Sequence, residues 1–110
     1  GNKYLSDTEY CFFAREKGVK IYGSYPTKKT YYVSSTNKKD KKLYNHPTVK
    51  PLEIVENLVE NSSQEDEVIL DPFLGSGTTG VASKLHNRKF IGIEIDDTYF
   101  KTAKSRMENI

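Results

Sequence analysis

Two acidic residues and three glycines have the types and spacing that a cofactor site requires. Asp71 follows the aliphatic residues 68–70, and glycines at positions 75, 77 and 80 come shortly after it. Glu94 lies near the end of a second apolar run, nineteen positions after Gly75. Glycines let a backbone pass close beneath a ligand, and a carboxylate can accept hydrogen bonds from both hydroxyls of a ribose. The spacing therefore predicts a cofactor that contains adenosine.

The residues between the first apolar run and the glycines bear on which cofactor is bound. A Gly-x-Gly-x-x-Gly pattern alone also fits a dinucleotide such as NAD. The sequence Asp71-Pro72-Phe73, however, places a carboxylate where it repels a pyrophosphate and attracts an ammonium group. S-adenosyl-L-methionine carries an amine and a sulfonium but no phosphate, so Asp71 favours this cofactor. The alternatives are that Asp71 and Glu94 only cap strand ends, or that the chain is an NAD-binding fragment.

A strand, a helix and a second strand must position these groups. Residues 68–70 predict a strand, and residues 90–95 predict another. Between them, apolar residues recur at helical spacing at Val81, Ala82 and Leu85. The pattern predicts an α/β fold with a mostly parallel sheet, of the Rossmann-like kind.

Two further helices are predicted on either side of this unit. The first begins at Pro51, which suits the first helical position, and carries an apolar stripe at Leu52, Val55, Leu58 and Val59. The second follows a cap at Asp96 or Asp97. Its apolar side consists of Tyr99, Phe100, Ala103 and Met107.

The region before residue 46 differs from the rest in charge. Ten Lys and Arg residues against Glu16 and Asp40 give residues 15–50 a net charge of +8, whereas residues 51–110 carry −5. Tyrosines are interleaved with the lysines, as in surfaces that bind nucleic acid. We therefore predict a mobile basic arm at residues 19–45 that contacts DNA through Lys28, Lys29, Lys38, Lys39, Lys41 and Lys42. The alternative is a solvated loop whose lysines only aid solubility.

Local structure in this region is predicted from residue type. Residues 8–14 suit a buried pleated surface and are expected to form a strand. Residues 20–22 and 30–33 are candidates for short strands. Residues 34–42 are polar and are expected to form an exposed loop.

Composition narrows the class of protein. A length of 110 residues fits one domain. Cys11 is the only cysteine, so no disulfide framework exists within the chain, and two histidines are too few for a metal cluster, so no metal is expected. The sequence shows neither a signal peptide nor a membrane span. We expect a cytoplasmic protein with no membrane partner.

Three motifs together resemble a known family. They are His46-Pro-Thr-Val-Lys-Pro51, Asp71-Pro-Phe-Leu-Gly-Ser-Gly-Thr-Thr-Gly80 and Phe90-Ile-Gly-Ile-Glu94. In this order they resemble the C-terminal part of the DNA methyltransferases that modify the exocyclic amino group of adenine (N6) or cytosine (N4). The resemblance implies an incomplete S-adenosylmethionine-dependent methyltransferase fold of bacterial or phage type. It divides the chain into residues 1–18, a strand after the catalytic region; residues 19–45, the basic arm; and residues 46–110, the cofactor-binding part.

The resemblance also implies a role for each matching residue. Glu94 matches the acid that binds the ribose, and Ile95 lies near the adenine. Asp71 lies toward the amino group of the cofactor. The segment beside its methionine end is matched by His46, Thr48, Lys50 and Pro51, and the loop that wraps the methionine and ribose by Asp71, Phe73, Gly75, Ser76, Gly77 and Thr78.

One part of the family pattern is absent from this sequence. The family transfers the methyl group through a segment with two adjacent prolines and an aromatic residue, which holds the flipped base. This chain has prolines at 26, 47, 51 and 72, none of them adjacent. We expect a fragment without catalytic residues, inactive alone, in which an exposed sheet edge pairs with the missing N-terminal catalytic half or with a second copy.

Several alternatives stay open at this point. A non-catalytic nucleotide-binding or DNA-binding module that reuses the fold would bind cofactor or DNA without rescue by any upstream segment. The sequence does not decide between adenine and cytosine, and it does not indicate the recognition site or whether a restriction enzyme accompanies the protein.

Overall fold

The computed structural model of the chain describes residues 8–46 and 48–110. A short 3-10 helix, Tyr25–Thr27, precedes helices α1, Lys38–Leu43, and α2, Leu52–Ser62. Strand β1, Val68–Asp71, helix α3, Thr78–Leu85, strand β2, Lys89–Gly92, and helix α4, Asp97–Glu108, follow. In the described residues, no helix is long and apolar enough to cross a membrane.

Strands β1 and β2 pair in parallel and are joined by α3. Val68 lies opposite Lys89, and Asp71 lies opposite Gly92. Backbone hydrogen bonds extend the pairing by a few residues, since Ile93 N donates to Asp71 O at 2.9 Å and Leu74 N to Ile93 O at 2.9 Å. The prediction of an incomplete α/β fold with a parallel sheet is confirmed.

The core lies where α3 packs on α2, α4 and one face of the sheet. Its buried apolar side chains are Val49, Val59, Leu74, Val81, Ala82 and Ala103. Gly80 lets α3 approach β2 and α4 closely, because a Cβ there would lie 2.8 Å from Phe90 Cε1 and 2.4 Å from Met107 Sδ. The stripes predicted for the helices face this core only in part: Val59, Val81, Ala82 and Ala103 are buried, whereas Leu58, Leu85 and Phe100 are 37%, 46% and 43% exposed.

The opposite face of the sheet is apolar and exposed. Val68 and Leu70 on β1 are 57% and 59% exposed, and Ile91 on β2 and Ile93 just beyond it are each 55% exposed. Successive side chains of a strand point to opposite faces, so these four belong to one surface. Nothing in the described residues covers it, and both outer edges of the two-stranded sheet are unpaired there.

Two boundaries differ by a few residues from the sequence prediction. Helix α2 begins at Leu52, because Pro51 has an extended backbone with ψ of 122° and serves as its N-cap. Strand β2 ends at Gly92 rather than at residue 95. Beyond Gly92 the chain turns to the neighbouring loop, where the side chain of Glu94 is bound. Asp96 caps α4 as predicted, accepting from Tyr99 N at 2.9 Å.

The strands predicted before residue 46 are wrong. Residues 8–14, 20–22 and 30–33 contain no paired strand, and every residue from 8 to 20 is exposed. A β-prone sequence forms a strand only where a neighbouring strand completes its hydrogen bonds, and none of the described residues does so here. The predicted region 1–18 also includes residues 1–7, which lie outside the described residues, as does Pro47.

The exposed loop predicted at residues 34–42 is partly helical. Helix α1 begins after Asn37, which has a left-handed backbone with φ of 57°. Asn37 Nδ2 donates to Val49 O at 2.9 Å, which fixes the start of the helix. Lysine is a good helix former, and the run of lysines that suggested a solvated loop therefore continues as a helix from this anchor.

Candidate cofactor-binding site

The two acidic residues singled out by the sequence lie at the same edge of the sheet. Strand β1 ends at Asp71, and Glu94 lies two residues beyond the end of β2. The carboxyl ends of adjacent parallel strands meet, and ligands of open α/β sheets bind at this edge. Neither carboxylate forms an ion pair with a described residue. Asp71 Oδ1 accepts from Phe73 N at 3.0 Å and so shapes the turn that leaves the strand.

Glu94 is bound to the glycine turn. Its Oε1 accepts from Gly75 N at 2.8 Å, and its Oε2 accepts from Asp96 N at 3.1 Å. A carboxylate has about four lone-pair positions, so two further donors can bind without displacing these contacts. Glu94 therefore holds the turn in place and retains acceptor capacity for a pair of hydroxyl groups.

The turn from residue 75 to residue 78 needs its glycines for two reasons. Gly75 and Gly77 have φ of 58° and 89°, in the left-handed region where a Cβ is strained. A Cβ on Gly77 would also lie 2.9 Å from the Cβ of Ala103 on α4. Ser76 and Thr78 are buried. Helix α3 begins directly after Gly77, so its unpaired first-turn amides face the edge of the sheet where the acids lie.

The segment before α2 lies against this turn. His46 Nε2 would be 3.2 Å from a Cβ on Gly75, and Thr78 Oγ1 donates to Lys50 O at 3.3 Å. His46 Nδ1 accepts from Thr48 N at 3.1 Å, so a neutral imidazole carries its proton on Nε2. His46 also packs on Tyr99, with ring centroids 4.3 Å apart. The structure thus brings the first and second motifs together.

Other residues of the predicted site have different surroundings. Phe73, just before the glycine turn, is 88% exposed, and Ile95, directly after Glu94, is 97% exposed. The ammonium of Lys50 is bound to the carboxylate of Glu9. This hydrogen bond and the positive charge of Lys50 hold the pKa of Glu9 below its usual value. Pro51 caps α2 and makes no side-chain hydrogen bond there.

A cleft of about 600 Å³ lies between α1 and the start of α4, beside His46. Two of the predicted DNA-contacting lysines, Lys41 and Lys42, line the cleft together with His46 of the predicted cofactor site. The other lining residues are Asn45, Asp96, Thr98 and Tyr99. Lys38 and Lys39 lie on the first turn of α1. Lys28 and Lys29 do not line the cleft. They follow Thr27, whose carbonyl accepts from Asn57 and Asn61 of α2.

Sequence reasoning missed Arg106. Its Nη1 donates to Thr78 Oγ1 at 3.0 Å and lies 3.4 Å from Ser76 O. Its guanidinium carbon lies 4.2 Å from the centroid of the Tyr44 ring. An arginine in the last turn of a helix is common in sequences, and Ser76, Thr78 and Tyr44 all lie far from it along the chain, so no local signal marks it.

Comparison with known proteins identifies what this chain is similar to. The sequence model of a family described as DNA methylase matches residues 4–105. A type II methyltransferase of Lactococcus lactis subsp. cremoris, M2.LlaDCHI, is 50% identical over 74 residues, which are 67% of this chain and 28% of that protein. M2.MboI of Moraxella bovis is 37% identical over 99 residues, 90% of this chain and 36% of that protein. The chain thus spans about a third of these curated relatives.

This chain is also similar to solved structures. The M1.HpyAVI–SAM complex is 49% identical and superposes with a TM-score of 0.55, over 56% of this chain and 30% of that one. A putative DNA modification methylase of Thermus thermophilus, complexed with S-adenosyl-L-methionine, is 30% identical with a TM-score of 0.53. That match covers 74% of this chain and 39% of the other.

Proposed function

This chain belongs to the DNA methylase family whose sequence model it matches, and from that premise we propose that it forms the S-adenosylmethionine-binding part of a DNA methyltransferase. The observation that carries the proposal is the joining of Glu94 to the glycine turn, with Glu94 Oε1 2.8 Å from Gly75 N. This contact supports the proposal, because it holds the carboxylate of Glu94 beside a glycine backbone that a ligand can approach closely. The relatives solved with S-adenosylmethionine support the choice of cofactor.

Each residue of the site has a role in this proposal. Glu94 accepts from the ribose hydroxyls, because its carboxylate keeps free lone pairs beyond its two backbone contacts. Asp71 attracts the ammonium group of the methionine moiety. Phe73 and Ile95, which are both exposed, cover the cofactor with apolar surface. The methionine end lies along residues 46–51 and the turn from Gly75 to Thr78.

We further propose that the complete enzyme methylates the exocyclic amino group of adenine or cytosine in double-stranded DNA. The bound cofactor supplies an electrophilic methyl group on a sulfonium. This methyl group would pass from the sulfonium to the amino nitrogen of the base, while residues 46–51, Asp71, the turn from Gly75 to Thr78 and Glu94 would hold the methyl donor. This chain contributes positioning and electrostatics. It has no Pro-Pro segment, so the groups that hold the base belong to another part of the enzyme, and the chain alone does not turn over.

Two surfaces are proposed for partners. The lysines of α1 and those at positions 28 and 29 contact DNA phosphates. The exposed apolar face of the sheet, with Val68, Leu70, Ile91 and Ile93, contacts the rest of the enzyme, since a contiguous exposed apolar surface marks a protein–protein contact. The relatives are bacterial proteins that act as methyltransferases, so we place the enzyme in the cytoplasm with its DNA.

Calorimetric titration with S-adenosylmethionine tests the cofactor assignment. We expect the chain to bind this cofactor and not NAD, which is titrated in parallel. Glu94→Ala should weaken binding by about 2–4 kcal/mol, because two charge-assisted hydrogen bonds are lost. Glu65→Ala is the control, since Glu65 is an exposed carboxylate in the turn before β1, at the opposite end of that strand from Asp71. Unchanged affinity in Glu94→Ala would remove Glu94 from the site, and preference for NAD would contradict the cofactor.

The salt dependence of DNA binding tests the basic surface. Each lysine that neutralises a phosphate contributes about 0.9 to the slope of log affinity against log salt. Replacement of Lys41 and Lys42 by Gln should therefore lower the slope measured with a short duplex by about 2. The control replaces Lys101 and Lys104 on the exposed side of α4. An equal effect of the two double variants would show that α1 is not a specific contact surface.

A further inference from the structure

The guanidinium of Arg106 joins three parts of the structure. Through Thr78 Oγ1 at 3.0 Å and Ser76 O at 3.4 Å it binds the glycine turn. Thr78 Oγ1 in turn donates to Lys50 O at 3.3 Å, which links the segment before α2. The third part is the end of α1, where Tyr44 serves as C-cap and presents its ring to Arg106. Arg106 is therefore the residue at which the glycine turn, the first motif and α1, the lysine-rich basic helix, meet.

The glycine turn needs such a contact. Gly75 and Gly77 flank Ser76, and glycines have more backbone conformations available than any other residue. A turn with two glycines must lose this conformational entropy before a ligand can lie against it. The loss weakens binding unless contacts within the protein have already ordered the turn. A hydrogen bond to the Ser76 carbonyl and another to the Thr78 hydroxyl select one conformation. Both Ser76 and Thr78 are buried, so the contacts are shielded from water.

An arginine suits this position and a lysine does not. The planar guanidinium donates hydrogen bonds in its plane while its face stacks on an aromatic ring. With the guanidinium carbon 4.2 Å from the Tyr44 centroid, the ring restricts the side chain that reaches the turn. Lysine has a single ammonium and no planar face, so it cannot stack on the ring while it donates hydrogen bonds in the plane of the stacked group.

We propose that Arg106 is a positioning residue of the cofactor site and that Tyr44 fixes its guanidinium, so that the end of the basic helix influences cofactor affinity. The inference rests on the proposed function, because it concerns the same site. It adds a residue that touches neither the cofactor nor the reacting atoms. It also connects the segment proposed to bind DNA with the turn proposed to bind the cofactor.

Titration of the full chain with S-adenosylmethionine tests this inference in matched variants. Arg106→Lys should bind about tenfold more weakly, because the contacts to the turn are lost. Tyr44→Leu should bind about three- to fivefold more weakly through loss of the cation–π contact. Tyr44→Phe keeps the ring and should stay within about twofold of the wild-type chain. Wild-type affinity in both Arg106→Lys and Tyr44→Leu would overturn the proposal.

A second arginine separates positioning from general stability. Arg88 donates to Ser63 O at 2.6 Å and to His86 O at 2.7 Å, away from the glycine turn. Arg88→Lys should lower the unfolding temperature without changing cofactor affinity. An equal loss of affinity in Arg88→Lys and Arg106→Lys would overturn the positioning role, because both effects would then follow from stability.

Hydrogen exchange provides a measurement that does not require cofactor. The amide of Gly77 is bonded to Leu74 O and that of Gly75 to Glu94. In Arg106→Lys we expect both amides to exchange several-fold faster, while the amides of β1 keep their wild-type rates. Unchanged exchange at both glycines would overturn the inference. Failure of the wild-type chain to bind S-adenosylmethionine would count against the proposed function instead, and the exchange rates would still decide the role of Arg106.

Discussion

Residues 48–108, the region that we propose binds the cofactor, and residues 8–46, the basic region, differ in what holds them in place. The first region has buried apolar side chains from α3 and α4, among them Val81, Ala82 and Ala103, and glycines that let these elements approach closely. The second region has no buried residue at all. Burial of apolar surface is the dominant stabilising term in folding. The cofactor-binding region is therefore stabilised by its own packing. The basic region is stabilised by contacts with residues outside it.

The basic region is fixed by a few polar contacts. Asn61 Nδ2 donates to Thr27 O at 2.7 Å, and Asn61 O accepts from Tyr22 N at 2.7 Å. Asn37 binds Val49 O, and Tyr44 stacks on Arg106. The net contribution of one such contact is about 0.5–1.5 kcal/mol. The part that we propose binds the cofactor is therefore held by packing, whereas the part that we propose contacts DNA is held by a few hydrogen bonds and can be displaced at small cost.

The largest effect on this comparison is expected from Gly77→Ala. The new Cβ would lie 2.9 Å from Ala103 Cβ and 3.1 Å from Ala103 Cα, and the residue would keep a strained φ of 89°. Overpacking and backbone strain each cost about 1–3 kcal/mol. We expect the free energy of unfolding to fall by about 2–4 kcal/mol, measured by denaturant unfolding.

Gly18→Ala is the matched control in the basic region. Gly18 has a φ of 85°, nearly the same as Gly77, but a Cβ there would meet no atom within 4 Å. Only the backbone strain is then added, without overpacking, so we expect a loss of about 1 kcal/mol. Equal losses in the two variants would contradict the difference drawn between the regions.

A smaller effect is expected from Asn61→Ala, which acts on the contact between the regions. Asn61 is buried, being 7% exposed, and its side chain both donates to Thr27 O and accepts from Thr27 Oγ1. Loss of these bonds should cost about 1–2 kcal/mol. We expect faster tryptic cleavage after Lys28 and Lys29, while hydrogen exchange in α3 stays unchanged.

Asn109→Ala is the control for this variant. Asn109 is exposed at the end of α4, where its backbone N–H donates to Ser105 O at 3.2 Å and its side chain has no hydrogen bond to a described residue. It should be cleaved at the wild-type rate. Faster exchange throughout α3 in Asn61→Ala would show that the asparagine supports the whole fold rather than the docking of the basic region.

The cofactor-binding region could be predicted from sequence because its signals are local. Asp71 and the glycines follow β1 within a few positions, Glu94 follows β2 in the same way, and the apolar residues recur within each single element. Parallel pairing then follows from the strand, helix, strand order. The positions of Asp71 and Glu94 at one edge of the sheet follow from the same order, without knowledge of any distant contact.

The basic region could not be predicted in the same way. Its β-prone residues 8–14 lack a paired neighbour, and its lysine run becomes α1 because Asn37 reaches Val49, twelve residues away. The contacts of Asn61 and Arg106 join residues about thirty positions apart. Contacts of this kind depend on how elements dock, and a single sequence does not encode them in a local pattern.

The smallest effect is expected at the contact between Glu9 and Lys50, which ties residue 9 to the site. Lys50 lowers the pKa of Glu9, so the folded chain binds the proton more weakly than the unfolded chain. The stabilisation is therefore present above the unfolded pKa and is lost as pH falls through the folded pKa. Both side chains are mostly exposed, and such pairs contribute about 0.2–1 kcal/mol.

Hydrogen exchange near residue 9, compared at neutral and acidic pH, measures this contribution. We expect local protection to fall on acidification in the wild-type chain and to be low at both pH values in Glu9→Gln. Glu16→Gln is the control, since Glu16 is also exposed but its side chain has no ion-pair partner in the described residues. If Glu9→Gln behaved as the wild-type chain, the first described residues would be held by something other than this pair. The proposed site would then be joined to the basic region through Tyr44 and Arg106 and not through Lys50.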